Sequence, residues 1–223
     1  MAQVHGVPGE WARVKGVVLG MWPIFIGIFV SGFALSLWIW GRAGIGAVLF
    51  AAAVAFTSWA ATRGLRRVER FFKGARGEEK VAGVLARLPD GYHVFNDFKA
   101  GNAHVDHVVL GPTGVFSVET KCWAGEVTVE EGNVLVNGRL PSRDPVPQAV
   151  KECEQVRGSF AAVGWKGKVV PFLVFASDNF RASAIEVGGA VVMNSSGIVK
   201  AITAGSQIMS ESDVRRLVSI IEN

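Results

Sequence analysis

Two charge-free runs constrain this chain more than any other feature of it. Val17 to Trp40 holds 24 residues without a charge, and Ala43 to Thr62 holds another 20. A helix crosses the hydrocarbon core of a bilayer with about 20 apolar residues, so each run is long enough. Only Gly41 and Arg42 separate them, which predicts a tight transmembrane helical hairpin over residues 17–62. Trp22, Trp38, Trp40 and Trp59 lie near the ends of the runs, where an interfacial aromatic belt places them. A cleaved signal peptide fits poorly, because its apolar region is about 7–15 residues long and no second span follows it.

Basic residues orient the hairpin. Arg13 and Lys15 precede the first run, only Arg42 lies in the turn, and Arg63, Arg66, Arg67, Arg70, Lys73 and Arg76 follow the second. By the positive-inside rule both termini are cytoplasmic. The expected location is the cell (inner or plasma) membrane, with the bilayer itself as a partner. Residues 1–16 read as a cytoplasmic segment and residues 63–76 as a basic connector, helical in pattern. Charge divides along the same line. Residues 1–76 carry 9 Lys/Arg against 2 Asp/Glu, whereas residues 77–223 carry 14 against 17. The second part therefore has no general nucleic-acid footprint in its charge. Cys122 and Cys153 are too few for a disulfide framework, and on a cytoplasmic domain both are expected as reduced thiols.

Residues 77–223 read as one α/β domain with a mixed sheet. Gly77 to Leu88 has an amphipathic helical pattern, with Val81, Val84, Leu85 and Leu88 on one face, and Pro89-Asp90-Gly91 ends it. Strand-like runs follow at Tyr92–Phe98, His104–Leu110, Val115–Thr120, Glu126–Val129 and Val134–Val136. Asp144 before Pro145 marks a helix start, with Ala149, Cys153, Val156, Phe160 and Val163 on one side. Val169–Ala176 suits a buried strand and Ala190–Met193 a shorter one. Ser210 with Asp213 forms a capping box for a terminal helix striped by Val214, Leu217, Val218 and Ile221.

The segment HVDHVVLGPTGVFSVETK, His104 to Lys121, is a β-hairpin around a Gly-Pro-Thr-Gly turn. If Leu110 and Val115 close the turn, Asp106 falls opposite Glu119, and like charges facing each other across a ladder destabilise it. Alternation places Asp106, Val108 and Leu110 on one face with Val115, Ser117, Glu119 and Lys121. Val105, Val109, Phe116 and Val118 take the other. A divalent cation would turn the repulsion into attraction, since Mg²⁺ or Mn²⁺ binds hard oxygens such as one or two carboxylates plus water. The Thr120 carbonyl offers a further metal ligand, and Lys121 could orient or help deprotonate the attacking water. Glu78 borders the apolar arc of its helix and can reach the sheet, whereas Glu79 lies opposite. Gln148, in the first turn of its helix, can reach a phosphate or water. His104 shares the Asp106 face and His107 the other, and both suit packing or support. Trp123 suits packing more than base stacking.

These residues carry a resemblance. Asp-x12-Glu-x-Lys looks like the PD-(D/E)xK nucleases. More narrowly, RGEEKVAGVLARLPDGYHVFND, then HVDHVVLGPTGVFSVETKCWAG, then DPVPQ, resembles the NERD (nuclease-related) domain over about residues 74–176. The resemblance implies a restriction-endonuclease-like fold. It implies Asp106 and Glu119 as metal ligands, Lys121 as catalytic, and Glu78 and Gln148 in support. The expected function is a membrane-anchored, Mg²⁺- or Mn²⁺-dependent nuclease acting on DNA or RNA at the cytoplasmic face. The competing expectation is a catalytically silent scaffold of the same fold, tethered to the membrane and binding nucleic acid or protein. Gly27/Ser31 and Gly32/Ser36 are small-xxx-small pairs, which favour self-association of membrane spans.

Overall fold

The computed structural model describes residues 1–101 and 103–222. It divides into two compact units, Met1–Gly9 with Gly74–Asn223, and Glu10–Lys73.

The second unit is a helical pair. Helix α1 spans Glu10–Ile39, and α2 begins at Ala43 and runs to Leu85. Both are long and apolar enough to cross a membrane, and only 17% of each most apolar window is buried. The core helix of a soluble protein would be mostly buried, yet here Phe25, Phe29, Ile39, Trp40 and Val48 stand exposed. The 43-residue length of α2 differs from the separate helix expected from Gly77. No proline interrupts residues 63–85, and Gly74 and Gly77 cost only about 1 kcal/mol each in a helix interior, which is too little to break it.

The first unit is built on a seven-stranded mixed sheet. Its strands are β1 (Gln3–His5), β2 (His93–Ala100), β3 (Ala103–Gly111), β4 (Gly114–Lys121), β7 (Val169–Phe175), β8 (Ala184–Val187) and β9 (Ala190–Asn194). A separate hairpin pairs β5 (Val127–Glu130) with β6 (Asn133–Val136). The sheet order is β1-β2-β3-β4-β7-β9-β8. The β1–β2, β4–β7 and β7–β9 pairs are parallel, and the others are antiparallel.

Helices cover both faces of this sheet. On one face the end of α2 (Val81, Leu85) and the short α4 (Ile198–Thr203) pack on Val94, Val109, Phe116, Val118 and Phe172. On the other, α3 (Pro145–Ala162) and α5 (Glu211–Ile221) pack on Val105, Val108, Leu110, Val115 and Val169. Strand β4 lies between the two layers and is buried from Gly114 to Thr120. Ser210 and Asp213 form the expected capping box on α5. Strands β1 and β8 were not legible in advance. Gln3–His5 is too short to show a period, and Ala184–Val187 is exposed over its first three residues.

Candidate functional site

The β3–β4 hairpin has the expected register, with Leu110 opposite Val115 and His107 opposite Val118. The ladder stops there, one pair short of Asp106 and Glu119. The cause lies on the neighbouring strand. Asp97 of β2, the position facing Asp106, has a left-handed φ of 53° and interrupts the β2–β3 pairing. Such a residue kinks a strand and re-aims its side chains. Alternation therefore fails at this point. Val105 packs in the same layer as Val108 and Leu110, not on the opposite face where strict alternation had put it. Asp106 occupies the slip, and its Oδ2 accepts the Thr120 backbone N–H at 2.7 Å. A side chain thus replaces a ladder bond, and β3 and β4 open around it.

The Thr120 carbonyl faces the same opening. Lys121 O accepts from Ala176 N beyond β7, so Glu119 and Lys121 direct their backbone groups toward β7. Thr120 directs both of its own toward β3.

Glu119 is 4% exposed, and a buried carboxylate needs partners. It has two. Lys121 Nζ donates to Glu119 Oε1, and Gln148 Nε2 donates to the same oxygen at 2.8 Å. Lys121 Nζ also donates to Gln148 Oε1 at 3.1 Å, which closes a ring of three side chains. Gln148 arrives there because Asp144 caps α3, accepting the Val146 N–H at 3.0 Å, with Pro145 opening the helix. On the opposite layer Gly77 is buried in α2, where a Cβ would lie 2.7 Å from the Cys122 Cβ. That close approach brings Glu78 within electrostatic reach of Asp106. The Gly-Glu pair is thereby explained: the glycine admits the helix, and the glutamate follows it into the site.

Asp106, Glu119, Lys121, Gln148 and Glu78 are accordingly assembled at one end of the sheet. Asp106 keeps some accessible surface, but protein crowds its carboxylate. That desolvation, then the charges of Glu119 and Glu78, hold its pKa well above the usual range, with Thr120 N–H and Lys121 opposing. His107 is fully buried, bonded through Nδ1 to Asn96 Oδ1 at 2.8 Å. Burial pushes its pKa down to about 3, so it is a neutral packing residue. His104 lies by Asp97, its Nδ1 3.3 Å from the Asp97 carboxylate. Trp123 packs on Phe175 at 5.6 Å between ring centroids. Cys122 and Cys153 are free thiols.

One member of the cluster was missed. Glu152, one helical turn beyond Gln148, is 9% exposed, and its Oε1 accepts Gln148 Nε2 at 2.9 Å. Among the described residues its buried Oε2 has no hydrogen-bond partner. The signal was present, since Glu152 lies on the same side of α3 as Ala149, Cys153 and Val156. Burial, then the neighbouring Glu119, pushes the Glu152 carboxyl up to about 9.

The sign of the resulting pH dependence is fixed. A carboxyl with a folded pKa of about 9 and an ordinary value of 4.5 is protonated on folding. Its stabilising contribution is complete below about 4.5 and lost as pH rises through 9. Glu152→Gln mimics the protonated form. In EDTA the variant is expected to melt with the wild type near pH 5. At pH 8–9 it should be more stable by an amount on the order of a few kcal/mol. Parallel melting curves at both pH values would refute a protonated Glu152.

Among the described residues, no group of three His, Cys, Asp or Glu side chains converges as a metal site. Asp106 and Glu119, with Glu78 and Glu152 close by, are the carboxylates gathered here, and the Thr120 carbonyl is directed toward β3 beside them. Residues 73–176 match the model of a family described as the nuclease-related domain, NERD, and this interval contains Glu78, Asp106, Glu119, Lys121, Gln148 and Glu152. No curated protein and no solved structure gives a significant match. Over residues 73–176, this chain is therefore similar to the nuclease-related domain family.

Proposed function

We propose that the chain is a membrane-anchored, metal-dependent nuclease that hydrolyses phosphodiester bonds of DNA or RNA at the cytoplasmic face. The observation that carries the reading is the opening between β3 and β4, where Asp106, Glu119 and the Thr120 carbonyl meet beside Lys121 and Gln148. Two carboxylates and a carbonyl are hard oxygen donors, a set that suits Mg²⁺ or Mn²⁺ with water completing the shell and does not suit softer metals. Asp106, Glu119 and Thr120 would hold such an ion, which would polarise a phosphoryl oxygen and lower the pKa of bound water. Lys121 sits on Glu119 with 18% of its side chain exposed. From there it can neutralise charge on a phosphate or hold the attacking water. Gln148 fixes Glu119 and Lys121 relative to each other, and Glu78 adds negative charge that favours a cation. The test is incubation of the purified full chain with labelled DNA and RNA, in Mg²⁺, Mn²⁺ or EDTA. Cleavage that requires the metal supports the reading. Its absence on both substrates leaves the silent scaffold.

Membrane anchoring rests on the two apolar helices and on connectivity. Strand β1 precedes the helical pair and β2 follows it, yet they are paired in one sheet. Any crossings between them must therefore be even in number. With six basic residues after the second run against Arg42 in the turn, that side is expected to be cytoplasmic. A reporter fused to the C-terminal end should be active only in the cytoplasm. Labelling of it from outside the membrane would overturn both the orientation and a cytoplasmic nuclease. Self-association through Gly27/Ser31 and Gly32/Ser36 belongs to the same proposal. Gly27 is already used within the chain, where it lies against Thr57, so Gly32 is the better candidate for contact with a second copy.

A further inference from the structure

Within the helical unit, α1 and α2 meet backbone to backbone at Gly20 and Gly64, since a Cβ on Gly64 would run into the Gly20 carbonyl. Beside that contact lies an open groove of about 500 Å³. Leu19, Pro23 and Trp59 form its apolar wall, and Arg63, Arg66, Arg67 and Arg70 form its basic one. No acidic residue lines it.

Two of the four guanidinium groups are held in place by identifiable causes. Pro23 has no N–H, so the Leu19 carbonyl one turn earlier loses its normal helical partner. Arg67 Nη1 donates to that same carbonyl at 3.3 Å. Arg63 lies 4.3 Å over the Trp59 ring, a cation–π contact. Among the described residues none of the four arginines is in an ion pair. Four unneutralised guanidinium groups, each with a planar fork of donors, gather where the apolar run ends.

We infer that this groove binds the phosphate-bearing headgroup of an anionic phospholipid. The inference rests on the membrane reading above and adds a specific site to it. The apolar wall decides the class of ligand. A nucleic-acid backbone gains nothing from Leu19 and Pro23, whereas a lipid brings acyl chains that continue along the apolar helices from the same groove. Arg67, fixed by the carbonyl that Pro23 frees, presents its remaining donors to the phosphate, and Arg63 is braced by Trp59.

The test uses the full chain in a neutral detergent, titrated with phosphatidylglycerol, phosphatidylcholine, inorganic phosphate or a single-stranded oligonucleotide, and read by melting temperature. Phosphatidylglycerol should stabilise saturably, and the other three should not at matched phosphate concentration. The variant R63K/R66K/R67K/R70K keeps every charge, and hence the topology signal, but loses the forks. Its apparent affinity should fall at least tenfold. Pro23→Ala restores the helical bond to Leu19, frees Arg67, and should weaken binding several-fold without altering charge. Equal response to both lipids, a lysine variant that binds as tightly as wild type, or an equal response to inorganic phosphate would each overturn the headgroup site. Stabilisation by the oligonucleotide instead would make the groove a nucleic-acid surface. Alkaline carbonate extraction separates the two readings. Release of the chain from membranes defeats anchoring itself, whereas retention without lipid selectivity defeats this inference alone.

Discussion

Lys121→Met is expected to lower metal-dependent cleavage about 10²–10⁴-fold, the range for loss of a positioned acid–base group. Methionine keeps most of the buried chain length and removes the charge. Stability should respond as well. Lys121 Nζ is one of two donors to Glu119, which is 4% exposed. Removing one partner of a buried pair costs at most about 3–5 kcal/mol, and less here because Lys121 reaches solvent. A lysine serving chemistry alone would leave stability unchanged, whereas the ring of contacts ties Lys121 to the fold as well. The two roles separate in one experiment. Mn²⁺ should restore the melting temperature of the variant by supplying the missing positive charge, while leaving cleavage lost. A variant that cleaves normally when metal-loaded would show Lys121 to be structural.

Asp106→Asn should uncouple stability from metal. In the metal-free wild type, burial and the charges of Glu119 and Glu78 raise the Asp106 pKa. Its stabilising contribution is therefore full below the ordinary carboxylate pKa and lost as pH climbs through the raised value. Asparagine carries no such charge, and its Oδ1 can still accept the Thr120 N–H. At pH 8 in EDTA the variant should melt at or above the wild-type temperature. On adding Mn²⁺ the wild type should gain about 2.7 kcal/mol at a hundredfold excess over its dissociation constant. The variant should gain little and cleave nothing. A wild-type melting temperature indifferent to Mg²⁺ and Mn²⁺, or an equal gain in both proteins, would remove the metal site and favour the scaffold.

The hairpin register was legible because a four-residue Gly-Pro-Thr-Gly turn leaves few ways to pair its flanking strands, and Leu110 does face Val115. What the pattern could not carry was the slip at Asp106. That slip depends on the backbone of Asp97, a residue whose turn-like conformation is invisible when it sits inside an apolar strand. The first helix turn was legible through Asp144 and Pro145, and with it Gln148. Glu152 was overlooked because a carboxylate on a core-facing stripe looks like a surface residue until its partners are known. The apolar runs were visible from composition alone. The continuity of α2 through Arg76 and Gly77 was not, since two glycines near a change in polarity resemble a boundary.

Strand β1 sets an order of events. Gln3, Val4 and His5 are made before both apolar helices, but they pair with His93, Val94 and Phe95, which are made only after them. During synthesis the chain must therefore carry an unpaired strand through the whole emergence of α1 and α2. The sheet can accept it only when nearly ninety residues of intervening chain have been placed. Pairings so distant in sequence form late and slowly. Until then β2 presents an open edge, the kind of surface on which nascent chains associate. On the membrane-anchored reading proposed above, delayed delivery of the helices to the bilayer would thus be felt at the sheet, as a domain finished everywhere except along strand β1.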